Sequence, residues 1–99
     1  MAFSGQKNIE NPSWVNDKIS TYKNRKKGNP PYSIYSYKYN EEKVFYIPAQ
    51  CCDQYSALFD AKGEYICAPG GGYMGLGDGK CNGFFKSAKN KKIIWLDSR

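Results

Sequence analysis

The chain contains no histidine. That removes the commonest general base and the commonest zinc ligand, and it lowers the expectation of catalysis more than any other single feature. Long apolar runs are also missing. No stretch approaches the roughly 20 residues of a transmembrane helix, and Met1-Ala2-Phe3-Ser4-Gly5-Gln6 has no apolar signal-peptide core. No CxxC pair exists to present two thiolates to one metal or to act as a redox nucleophile. No D-x-[DN]-x-[DN]-G calcium loop exists either. Acidic residues are few, 9 against 15 Lys and Arg, which leaves a net charge of +6. The excess favours loose association with nucleic acid, acidic glycans or anionic lipid, and serves solubility in any case.

What remains is 99 residues, the size of one domain, with 16% aromatics including nine Tyr. Such a chain is too aromatic to be disordered. Residues 1–10 read as a loose polar arm and 11–99 as a single folded domain. Asn11-Pro12 reads as a helix cap and first-turn proline, with Val15, Ile19 and Tyr22 at helical spacing. Lys23, Arg25, Lys26 and Lys27 suit the negative end of the helix dipole, and Gly28 is the stop, so the helix is expected over about 12–27.

Ser33 to Tyr39 alternates: Tyr35, Tyr37 and Tyr39 share one face, Ile34, Ser36 and Lys38 the other. After Asn40-Glu41-Glu42, Lys43 to Pro48 returns as a second strand, with Val44 and Tyr46 opposed to Phe45 and Ile47. Ala57-Leu58-Phe59 and Glu64-Tyr65-Ile66-Cys67 flank the turn Asp60-Ala61-Lys62-Gly63. Residues 69–83 are glycine-rich and read as loop, and Lys92 to Asp97 closes as a last strand. The fold class is α+β: one N-terminal helix packed on an antiparallel sheet of four to five strands, with a disulfide-tethered Gly-rich loop.

Cys51, Cys52, Cys67 and Cys81 lie within 31 residues. Two disulfides are the expected state, placing the domain in an oxidising compartment. Vicinal cysteines rarely bond to each other, so two connectivities remain open: 51–67 with 52–81, or 51–81 with 52–67. A zinc site built from the four cysteines and a redox-active Cys81 beside Lys80 are the lesser readings. An exported protein would be the mature part behind a new start Met; a native Met1 would instead mean cytosolic thiols or metal ligands.

Gly70-Gly71-Gly72-Tyr73-Met74-Gly75 matches G-x-G-x-x-G, but Pro69 precedes it and no helix follows, so a nucleotide site is not expected. Gly79-Lys80-Cys81 fails as a Walker A end. The loop instead reads as backbone requiring positive φ. Its sharper reading is a ligand-contact loop carrying Gly72, Tyr73, Met74 and Asp78. Asp60 and Asp78 are explained as turn residues, which argues against calcium on Asp53, Asp60 and Asp78. The basic stretches 23–27 and 86–92 read as solvated lysines on a helix end and a loop.

The stretches 47–60, Gly63 to Pro69, Gly77 to Cys81 and Ile94-Trp95 carry a C-C-D … I-C-x-P … G-D-G-x-C pattern. It resembles an uncharacterised family of small bacterial exported or lipid-anchored proteins. The resemblance covers roughly residues 32–97 and implies an extracytoplasmic location (periplasm, outer surface or secreted) after loss of a leader absent from this chain. It implies no activity. The helix-then-meander order also looks like cystatin-like inhibitor folds by topology alone, without their Q-x-V-x-G loop.

The expectation is therefore an exported, monomeric, non-enzymatic binding or inhibitory module, with no catalytic residue, metal or cofactor, and an envelope protein or glycan as partner. The rivals are a basic and aromatic nucleic-acid or anionic-glycan binder, with nucleic acid disfavoured, and an enzyme using Asp53 or Asp78 as base.

Overall fold

The structure, a computed structural model, describes residues 11–28, 30–50, 54–72 and 75–98. The expected arm at 1–10 lies outside them, as do Cys51, Cys52, Asp53, Tyr73 and Met74.

One helix and a five-stranded antiparallel sheet form the fold, which is α+β as expected. Helix α1 spans Ser13–Lys23. Strands β1 (Ser33–Tyr39), β2 (Glu42–Ile47), β3 (Ala57–Asp60) and β4 (Tyr65–Cys67) follow as a meander. A connection containing the one-turn helix α2 (Phe84–Ser87) then leads to β5 (Lys89–Leu96). The strand order is β4-β3-β2-β1-β5. The chain therefore crosses one whole face of the sheet to pair β5 with β1.

The alternation of β1 and β2 holds in three dimensions. Tyr37 lies opposite Val44 and Tyr35 opposite Tyr46, while Ser36 lies opposite Phe45. Ile34 and Phe45 are buried with Val15 of α1, and Trp14, Ile19, Tyr22, Ile94 and Trp95 close around them. On the other face Val44 and Leu58 are buried with Cys67, Cys81 and Phe84, ringed by Tyr37, Tyr39 and Tyr46. Both faces are thus covered, one by α1 and the other by the crossover. Fully burying one such apolar side chain contributes about 1.5–3 kcal/mol.

Helix α1 differs from expectation at both ends. Pro12 rather than Asn11 is the N-cap, with no side-chain cap hydrogen bond. The helix stops at Lys23, not at 27, and Asn24 N donates back to the Ser20 and Thr21 carbonyls, both at 3.2 Å. The reason is packing. Tyr22 is drawn into a near-parallel stack with Tyr32 and Trp95, at 4.5 and 6.0 Å. Beyond it the sequence offers only polar and basic residues, so further helix would bury nothing.

The basic stretch read as loop is corrected in part. Lys89 to Lys92 pair with β1 as the first half of β5, with Lys92 opposite Ser36 and Lys89 opposite Lys38. The short helix α2 is a further addition, seated by the buried Phe84.

The disulfide pairing is also corrected. Cys67 bonds to Cys81, with Cα atoms 6.2 Å apart. Both expected connectivities are thereby overturned, since each gave Cys67 and Cys81 separate partners. The bond joins the end of edge strand β4 to the crossover, where both cysteines are buried beside Phe84. It closes the Gly-rich loop on itself instead of tying it to Cys51 or Cys52.

Candidate functional site

The candidate site is a cleft of about 630 Å³ at the end of the sheet where β1 starts and where β2 and β5 finish. Its walls come from distant parts of the sequence: Tyr22 and Arg25 at the end of α1, Tyr32 and Tyr35 at the start of β1, Gln50 after β2, and Tyr55 before β3. Pro30, Pro31 and Pro48 also line it. Proline ends strand pairing because it lacks an N–H, so these residues open the sheet at this end.

Each wall is anchored. Tyr22 stacks on Tyr32 with 11° between ring planes, and the Arg25 guanidinium lies 5.5 Å from the Tyr22 ring centre. Burial raises the Tyr22 hydroxyl pKa above its ordinary value, against the lowering pull of Arg25. The Gln50 amide donates to the Pro30 carbonyl, joining the two loops that form the rim. Lys91 Nζ sits 4.7 Å from the Tyr35 ring centre.

Tyr55 connects the cleft to the Gly-rich loop. It pairs as an isolated antiparallel bridge with Gly71, and Gly72 N donates to the Gln54 carbonyl at 2.9 Å. Gly72 is buried behind the Tyr55 ring. A Cβ there, at φ +79°, would stand 2.6 Å from Tyr55 Cε1. Next to it, the Ser56 hydroxyl donates to the Gly70 carbonyl and accepts from Gly70 N, both at 3.0 Å. The glycine-rich segment therefore acts as a backing plate: it lets the backbone approach closely enough to hold Tyr55, a residue 59% exposed, at the cleft mouth.

Asp78 is placed elsewhere, on the far side of the same loop. Its carboxylate accepts from Lys80 N at 3.0 Å and from the Tyr65 hydroxyl at 3.1 Å. The Lys80 amide is the main reason its pKa is lowered. Desolvation, followed by the bond to Asp78, raises the Tyr65 pKa. Asp60 Oδ1 accepts from Lys62 N and Glu64 N, both at 2.9 Å, as a turn residue should. With both carboxylates committed to separate turns, they do not converge on a calcium ion. Among the described residues no three His, Cys, Asp or Glu side chains form a metal-holding group.

Of the expected contact residues, then, Gly72 supports the cleft from behind and Asp78 lies outside it. The positions of Tyr73 and Met74 lie outside the described residues. The residues missed in the sequence are Tyr22, Arg25, Tyr32, Tyr35, Gln50 and Tyr55. The only local signal for them is the recurrence of Pro beside Tyr in Pro30-Pro31-Tyr32.

Among the described residues no helix is long and apolar enough to cross a membrane. Residues 20–97 match the family model of a domain of unknown function (DUF6970). No curated protein and no solved structure matches the chain.

Proposed function

The chain belongs to the DUF6970 family, and from the cleft itself we propose that it is an extracytoplasmic, non-enzymatic binding module that takes a saccharide unit against its tyrosine wall. The observation that carries this reading is the composition of one concavity: Tyr22, Tyr32, Tyr35 and Tyr55 beside the amides of Gln50 and Gln54. Its volume lies in the range of about 300–1,000 Å³ typical of small-ligand sites. Tyrosine offers an apolar ring face with a polar tip, which suits a sugar ring that has C–H faces and hydroxyl edges. Glutamine amides donate and accept, so each can serve a hydroxyl in either sense.

The same lining supports binding over chemistry. Rings, amides and a guanidinium neither take nor give a proton near neutral pH, and burial moves the Tyr22 hydroxyl further from that range. The buried Cys67–Cys81 bond supports an oxidising compartment. The family-like signature in the sequence points the same way.

The test is titration of neutral and acidic oligosaccharides, observed by NMR, on the wild type, Tyr55→Ala and Gln54→Ala. Both residues are exposed, so truncation leaves the core intact. Wild-type shifts should cluster on the cleft residues, and Tyr55→Ala should weaken binding about tenfold, equivalent to about 1.4 kcal/mol. If no oligosaccharide moves those resonances, or if Tyr55→Ala binds as the wild type does, the saccharide reading fails.

A further inference from the structure

The opposite end of the sheet carries a feature the cleft does not use. Lys38 of β1 lies directly opposite Lys43 of β2 and directly opposite Lys89 of β5. Three ammonium-bearing residues therefore stand abreast on three adjacent strands, each strand about 4.8 Å from the next. Lys92 joins them two positions along, opposite Ser36. Like charges directly opposite one another destabilise a sheet. The Lys43 ammonium lies 5.5 Å from the Phe45 ring centre, and Lys38 pairs with Glu41 at 3.5 Å, with side chains 50% and 90% exposed. A pair so exposed offsets little.

This arrangement is built by the chain. A register shift between Ser36 and Lys38 bulges the β1–β5 pairing, and Asn90 takes a left-handed backbone at φ +57° beside it. Bulges re-aim side chains, and this one sets Lys89 opposite Lys38. The surface there is hollow: a cavity of about 290 Å³ is lined by Ser36, Lys38, Glu41, Lys43, Asn90 and Lys92.

We propose that this lysine row is a second binding site, independent of the cleft, and that its ligand is a linear anionic polysaccharide carrying carboxylate or sulfate groups. Lysines side by side on adjacent strands suit a chain that presents one anion per sugar. Two other polyanions fit less well. Bases of single-stranded nucleic acid need exposed rings to stack on, and Tyr37, which lines this hollow, turns its ring to the opposite face, against Phe84 at 5.1 Å. A lipid surface needs apolar side chains beside the cations. Phe85 and Ile93, exposed and large, belong instead to the tyrosine face: Phe85 packs on Tyr46 at 5.3 Å, and Ile93 pairs with Tyr35.

The experiment is calorimetric titration with a polygalacturonate oligomer and a heparin-derived hexasaccharide across a salt series. It compares wild type with Lys38→Gln/Lys43→Gln/Lys89→Gln and with a control of equal charge change, Lys26→Gln/Lys27→Gln/Lys62→Gln. Neutralising the row should weaken binding of one of the two probes at least about tenfold and flatten its salt dependence, while the control should lose less than about threefold. The single variant Lys38→Gln, at the centre of the row, repeats the test with the smallest change. Equal losses in row variant and control would reduce the effect to net charge and overturn the proposal. So would absence of binding to either probe at low salt. Tighter, row-dependent binding of single-stranded DNA or of phosphatidylglycerol vesicles would overturn it in favour of that ligand.

Discussion

Phe84 is the side chain on which the crossover depends. It is 1% exposed and lies within 4.9 Å of the Tyr39 ring centre, 5.1 Å of Tyr37 and 6.1 Å of Tyr46. Replacing it with alanine removes the ring from the centre of the face that the crossover seals. The three tyrosines are anchored in β1 and β2, so the void cannot collapse fully. The expected loss is about 3–5 kcal/mol. For a domain of this size each kcal/mol lowers Tm by about 4–8 °C, so the fall is roughly 12–40 °C. Phe85 next to it is the internal control. It is 53% exposed and touches the same rings from outside, so Phe85→Ala should lose about 1 kcal/mol or less. Both variants would be melted by circular dichroism under non-reducing conditions, with Phe84→Leu included in case Phe84→Ala does not fold. Equal losses at 84 and 85, or a loss at 84 of about 1 kcal/mol or less, would mean that α2 does not seal the tyrosine face.

Three other outcomes are expected. Non-reducing peptide mapping should return a linked Cys67–Cys81 pair, and its reduction should destabilise the domain by about 3 kcal/mol; a peptide joining Cys51 or Cys52 to either would contradict the structure. Gly77→Ala should be far more damaging than Gly79→Ala in chemical denaturation, because both have φ near +80° but only at 77 would the Cβ strike backbone, 2.0 Å from the Ala68 carbonyl oxygen; comparable losses would show that the loop shifts freely. In NMR pH titration the Asp78 carboxyl should titrate below the ordinary aspartate range, and Tyr65→Phe should raise it. The sign follows from linkage: a carboxyl whose folded pKa is lowered stabilises above its unfolded pKa, and that contribution is lost as pH falls through the folded value. Tyr65 is the reverse case, with a contribution present below pH 10.0 and lost as pH rises through its raised folded pKa. An Asp78 titration unmoved by Tyr65→Phe would remove the bond from the account.

The helix and the first hairpin are legible in the sequence because their signals are local. Val15, Ile19 and Tyr22 keep one stripe, and the alternation from Ser33 to Ile47 assigns the two faces that the clusters around Phe45 and Val44 occupy. The disulfide is not legible. Spacing leaves cysteine pairings open, and excluding a vicinal bond removes the only complete pairing scheme that contains Cys67–Cys81. The start of β5 is hidden because Lys89-Asn90-Lys91-Lys92 has the composition of a solvated loop. Only the presence of β1 beside it makes it a strand. The cleft is hidden for a similar reason. Tyr22, Tyr35, Gln50 and Tyr55 meet only after the sheet has formed, and no window of sequence contains their arrangement.

The route of the chain from β4 to β5 also dictates an order of assembly. The β1–β4 meander is made of neighbours in sequence, whereas Ser33 pairs with Leu96 across almost the whole domain. Contacts between sequence neighbours close quickly and distant ones slowly. The meander is therefore expected to form first, leaving β1 as a temporary edge until the last strand arrives. The Cys67–Cys81 bond shortens the loop that must be searched on the way. Refolding of the oxidised protein should be faster than that of the reduced protein, and the difference should sit in the phase that protects the amides of β5.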